Sequence, residues 1–116
     1  TGFNDTYLRV ADAISSATKG WLVPDNIMIT KMTAAWTTTL TTGDIELHRD
    51  GVEITKLNLA TSDQTSNTTA QNLALDTNFD KHNGSSKTGV MAVYLDSLSA
   101  SIGHPVVAVY WRRREP

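Results

Sequence analysis

The 116-residue chain has no cysteine, which excludes disulfides and any thiolate-based zinc or redox centre. That absence leaves the compartment open, because a small domain outside the cell can be held together by oligomerisation instead. Charge is also scarce: 19% of residues are charged and the formal net charge is −2, so there is no broad basic field for nucleic acid. No apolar run approaches the roughly 20 residues of a membrane-spanning helix, and no membrane insertion is expected. Phosphate-cradling glycine loops and the Gly-x-Ser-x-Gly nucleophile elbow are missing as well. These absences argue against an enzyme, and no cofactor is expected.

Uncharged polar residues fill the deficit, Thr above all, with Ser and Asn behind it. Threonine's branched Cβ suits a pleated surface. The clearest local signal is Ile45-Glu46-Leu47-His48-Arg49-Asp50-Gly51-Val52-Glu53-Ile54. Two alternating runs flank Asp50-Gly51, a pair that supplies the positive φ angles of a type I′ turn. Val52 and Ile54 fall out of phase with Leu57 and Leu59, which predicts a bulge near Thr55-Lys56.

Other strands follow the same logic. Residues 27–36 alternate, with Ile27, Ile29, Lys31, Thr33 and Ala35 on one face and Met28, Thr30, Met32, Ala34 and Trp36 on the other. Residues 68–75, 90–95 and 105–114 read as strands. Residues 37–43, 60–67, 76–89 and 96–104 read as polar connections, and residues 11–19 read as a loop. Val106–Trp111 is apolar on both faces, so either an aromatic plug or a subunit interface covers its second face. The pattern predicts one all-β domain over residues 1–116, an antiparallel β-sandwich or jelly roll of about seven or eight strands. The start at Thr1 is read as that of a piece, the C-terminal part of a longer protein.

Candidate chemistry is thin. Asp76, Asn78 and Asp80 alternate as calcium ligands do, but lysines stand where an EF-hand needs Gly and Glu; a turn held by side-chain bonds explains them better. His48, His82 and His104 are far apart in the sequence, with His48 expected to face solvent and a three-histidine axial site only conceivable; no metal site is predicted. The carboxylate pairs Asp44/Glu46 and Asp50/Glu53 are no more than any exposed strand offers. Alternation splits Arg112 and Arg114 from Arg113, so ion pairs within or between subunits fit them better than nucleic acid. Ligand contacts are instead expected on the polar end loops and a neighbouring ring: Trp36, Thr38, Thr39, Thr41, Asp63, Asn67, His82, Asn83 and Lys87. Interface contacts are expected from Val107, Val109, Tyr110, Trp111, Arg112 and Arg113.

A set of landmarks resembles the small β-sandwich tip or head domains of trimeric phage tail fibre and spike proteins, and more distantly the jelly rolls of the tumour-necrosis-factor and C1q type. They are Tyr7-Leu8-Arg9-Val10; Gly20-Trp21-Leu22-Val23-Pro24 running into Asp25-Asn26-Ile27-Met28-Ile29-Thr30; Trp36 ahead of the Asp50-Gly51 hairpin; and the ending Pro105-Val106-Val107-Ala108-Val109-Tyr110-Trp111-Arg112-Arg113. Their order spans nearly the whole chain. The sequence departs from such domains after Phe79, where a tight Phe-x-x-Gly-Asp turn is replaced by a longer loop. The resemblance implies a homotrimer, a virion or extracellular location, and recognition of a host-surface glycan or protein without catalysis. The alternatives are a purely structural virion cap or trimerisation head, and a bacterial extracellular lectin-like domain.

Overall fold

The computed structural model describes residues 2–10, 13–14, 20–59, 65–66, 68–83 and 89–114. Among them all regular structure is β. The elements are β1 (Thr6–Tyr7), β2 (Arg9–Val10), β3 (Ala13–Ile14), β4 (Trp21–Leu22), β5 (Ile27–Thr37), β6 (Asp44–Arg49), β7 (Val52–Asn58), β8 (Thr65–Ser66), β9 (Thr69–Asn72), β10 (Thr77–Phe79), β11 (Val90–Asp96) and β12 (Gly103–Arg113). They form two antiparallel sheets packed face to face, a β-sandwich as expected. In sheet I, β11 lies between β6 and the short edge strands β1 and β4, and β7 closes the far edge. In sheet II, β5 pairs with β12 on one side and with β9 and β10 on the other, β8 lying beyond β9. The short pair β2–β3 stands apart.

Burial explains the pairing. Ile45, Leu47, Leu57 and Leu95 of sheet I meet Ile27, Ile29, Met32, Ala34 and Trp36 of sheet II. The buried set of β5 is therefore 27, 29, 32, 34 and 36, and the strict alternation read from the sequence fails. The cause is a bulge. Tyr110 pairs with Lys31 and Trp111 with Ile29, leaving Thr30 unopposed and shifting the strand's phase by one residue. The Thr30 hydroxyl donates to the Tyr110 carbonyl at 3.3 Å, and its own carbonyl accepts from Leu75 N–H at 3.0 Å. The phase change expected in β7 is also present, at Ile54: Leu47 faces Thr55 and His48 faces Glu53. A further correction concerns residues 76–89, read as a single connection. Thr77–Phe79 is a strand on β5 and Phe79 is fully buried, so Asp76 and Asp80 flank a strand instead of encircling a cation.

The hairpin turn is as the sequence specified, with φ of 55° at Asp50 and 85° at Gly51. Asp50 does more than turn. Its carboxylate accepts from Val90 N–H at 2.9 Å and its own N–H donates to the Val90 carbonyl at 2.9 Å, tying the hairpin to β11. At the opposite end, the Asn4 amide imitates a strand partner, accepting from Leu98 N–H at 2.9 Å and donating to its carbonyl at 3.1 Å.

Gly43 sits at that same end with φ of 123°, and a Cβ there would lie 2.7 Å from Leu98 Cα. Backbone faces it, so neither strain nor clash can be relieved by a rotamer change. Gly43→Ala should lower stability by roughly 3 kcal/mol, measured as a lower urea midpoint at unchanged slope.

Candidate functional site

Strand β6 carries the least ordinary chemistry. Its alternation sends Ile45 and Leu47 into the core and Asp44, Glu46 and His48 to the outer face of sheet I. An outer face is where solvent belongs, yet Glu46 and His48 are each only 8% exposed. Neighbouring strands cover them. Tyr94 of β11 stands opposite Glu46, Tyr7 of β1 stands opposite Tyr94, and small Ala92 faces His48. The Tyr94 ring stacks on the imidazole at 5.4 Å and 27°, and the Tyr7 ring meets it edge-on at 5.3 Å and 89°.

Both imidazole nitrogens are engaged. Nε2 lies 2.8 Å from Glu46 Oε1, and Nδ1 lies 3.0 Å from the Tyr7 hydroxyl. With Glu46 ionised, Nε2–H donates to the carboxylate, and Nδ1 accepts the Tyr7 proton. Burial, with Tyr94 and Glu46 close by, lifts the Tyr7 pKa above its ordinary 10.0, so the phenol keeps the proton it donates. The expectation that His48 faces solvent is corrected: it points away from the core but is closed in by tyrosines.

Carboxylates crowd the other side of Glu46. Asp44, Glu46 and Asp96 each bring an oxygen within 4.8 Å of the others, and Glu53 adds its charge from β7. Burial raises the Glu46 pKa; the hydrogen bond from His48 opposes this, and the Glu53 and Asp96 carboxyls add to it. Lys56 reaches Asp44 at 3.4 Å, and Asp44 is the main reason its own pKa is raised. The outcome is a negative face with a buried acid at its centre.

A second feature lies at the sandwich edge. Among the described residues β12 pairs only with β5. Between it and the β4–β11 edge runs a cleft of about 970 Å³. Phe3, Leu8, Trp21, Val93, Val107 and Val109 give it apolar walls, and Thr38, Ser101 and His104 contribute polar groups. Trp21 and Trp111 face one another at 6.0 Å. Leu22 is 51% exposed, Val106 66%, Tyr110 44% and Trp111 45%. Thr38 holds a φ of 87°, a strained angle for a β-branched residue and of the kind that gathers at ligand sites.

The residues singled out from the sequence do not converge on one site. Thr38, Thr39 and Thr41 are exposed at one end of the sandwich, where Thr41 N–H donates to Ser99 Oγ at 3.1 Å. His82 and Asn83 lie at the other end, with His82 N–H donating to the Val23 carbonyl at 2.8 Å. Strand β5 spans the two ends, and eleven residues at ~3.3 Å each separate them by roughly 30 Å. Trp36 is in the core, 6% exposed, its indole N–H buried without an acceptor among the described residues, so its ring is closed to a ligand. Asp63, Asn67 and Lys87 lie outside the described residues. Val107 and Val109 line the cleft, while Tyr110, Trp111, Arg112 and Arg113 are exposed along β12. Arg113 pairs with Asp25 at 2.8 Å and Arg114 with Asp80, whereas among the described residues the Arg112 guanidinium hydrogen-bonds Met28 Sδ, at 3.5 Å, and no carboxylate.

The Glu46 environment has a measurable consequence. Its folded pKa lies above its ordinary 4.5, so the folded chain binds that proton more tightly than the unfolded chain does. The stability this contributes is complete below the ordinary value and is lost as pH rises through the folded one. Gln cannot ionise, so Glu46→Gln should gain on the parent between about pH 4 and about pH 7, as read from paired urea midpoints. An equal difference at both pH values would show that Glu46 titrates normally. Comparison with protein-family models, with curated proteins and with solved structures returns no match, so the functional reading rests on this chain's own residues and their geometry.

Proposed function

We propose that this chain is a non-enzymatic β-sandwich head that assembles as a homotrimer through its β12 edge and recognises a surface ligand, most simply a glycan, with the loops at one end. A tail-fibre or spike tip on a phage virion is the setting that the sequence resemblance favours. The observation that carries the reading is the exposed strip of Leu22, Val106, Tyr110 and Trp111 beside the open cleft. A monomer of 116 residues seldom leaves such a strip against solvent. Val106, Tyr110 and Trp111 lie on β12, the strand singled out from the sequence as an interface, and Leu22 lies on β4.

Recognition is assigned to the end bearing Thr38, Thr39 and Thr41. Their hydroxyls are exposed and Thr38 is both strained and part of the cleft lining. Repeating this end three times on one axis gives weak single contacts the avidity that glycan binding needs.

Light scattering should return a mass near three times 12.6 kDa that persists on dilution. Val106→Asp, which places a charge in the strip, should shift the mass towards one chain while leaving the folded β signal intact. On a glycan array, replacing Thr38, Thr39 and Thr41 together by Ala should abolish binding without changing the mass. A monomeric parent would sink the trimer, and array binding that survives the triple replacement would move recognition elsewhere.

A further inference from the structure

We propose that the outer faces of the two sheets are the two halves of one head-to-tail contact, the basic β12 strip of each copy docking on the acidic β6 face of the next. This rests on the trimeric reading above and names the surface that receives β12.

The argument is the segregation of charge. The strands of sheet II carry Lys31, Arg112 and Arg113, the last paired with Asp25, and no carboxylate. Sheet I carries Asp44, Glu46, Glu53 and Asp96. Its two cations do not balance them. Arg49 donates to the Asn78 carbonyl at 3.1 Å and lies over the Phe79 ring, which takes it away from the acidic cluster. Lys56 serves Asp44. The acidic face is left short of positive charge, with Glu46 held in its midst.

The basic half has the complementary shortage. Register places Val106, Ala108, Tyr110 and Arg112 on the outer side of β12, opposite Ala35, Thr33, Lys31 and Met28. Lys31 Nζ sits 4.1 Å from the centre of the Tyr110 ring, and among the described residues Arg112 hydrogen-bonds the Met28 sulfur and no carboxylate. Two cations flank an exposed apolar strip with no acid among them. A planar guanidinium is well suited to paired carboxylates.

Unlike patches on one chain make a heterologous contact, which closes into a ring or runs on as a filament. Sheet centres stacked on each other would run on. The basic strip instead lies on an edge strand, so each copy is turned relative to the last, as a closed ring requires.

The test uses Arg112→Glu and the pair Glu53→Lys with Asp96→Lys, all at partly or fully exposed positions. Each variant alone should be folded by circular dichroism, with a trimer dissociation constant raised on the order of a hundredfold. About 1 M salt should weaken the parent in the same direction. Mixed in equal amounts, the two variants should associate as mixed pairs, because the native acidic face of the first meets the native strip of the second and the two reversed patches meet each other, whereas a third copy of either kind leaves one like-with-like contact. If the parent is a trimer that ignores salt and Arg112→Glu, this contact is wrong and the trimer stands. If folded variants fail to associate on mixing, charge matching is not what joins them. If the parent is a monomer, this contact and the trimer fall together.

Discussion

The one-residue bulge at Thr30 is the constraint from which the rest of the second sheet follows. β5 must bury Ile27 and Ile29 over Phe79 at one end and Met32, Ala34 and Trp36 at the other. Strict alternation cannot put both groups on the same face, because side chains repeat every second residue. The extra residue resolves the conflict and sends Lys31 outward beside Tyr110. β12 keeps its own alternation past the bulge, with Trp111 on the side of Trp21 and Arg112 on the outer side over Met28. Core packing and the character of the outer face are thus two results of one local choice.

Sheet I meets a different requirement. Its outer face carries polar residues, but tyrosines on β1 and β11 cover two of them. A buried carboxylate is tolerable only when its hydrogen bonds are made, and His48 makes one of them. The histidine in turn needs an acceptor and a donor on its two nitrogens, and Glu46 and Tyr7 fill those roles. Tyr7 therefore links the two-residue β1 to the sheet's polar face, supplementing its short ladder on β11. Such a network contributes little to net stability compared with apolar packing of the same volume. It fixes which side chains meet, and so keeps the acidic cluster in one arrangement.

Much of the fold was legible in the sequence where the signal was local. Asp50-Gly51 declared its turn, and the phase switch in β7 was visible within one or two residues of Ile54. The switch in β5 was present too, since apolar residues stand at 27, 29, 32, 34 and 36, but Met28 and Ala35 are apolar enough to mask it. β10 escaped because its single buried anchor, Phe79, sits among polar neighbours and acts only through β5. The site was less legible. Alternation placed Glu46 and His48 on one face but could not reveal that Tyr7 and Tyr94, distant in sequence, would close over them. Nor could it show that the end loops singled out for binding stand at opposite poles of β5.

Where charge is sparse, its position outweighs its amount. With 12 acidic and 10 basic residues, a random scatter would leave each face near neutral, and the sum over the chain gives no hint of polarity. The fold sorts them by strand. β5, β9, β10 and β12 contribute no acid to one sheet, and β6, β7 and β11 bring four to the other. Gathering carboxylates round a buried Glu46 works against stability, since like charges repel more strongly where water is displaced. Folding alone gives no reason for the arrangement: Thr, Ser or Asn at Asp44, Glu53 or Asp96 would suit an outer strand face and remove the repulsion. A cost borne on one face, opposite a face with the reverse sign, is what the proposed head-to-tail contact would offset.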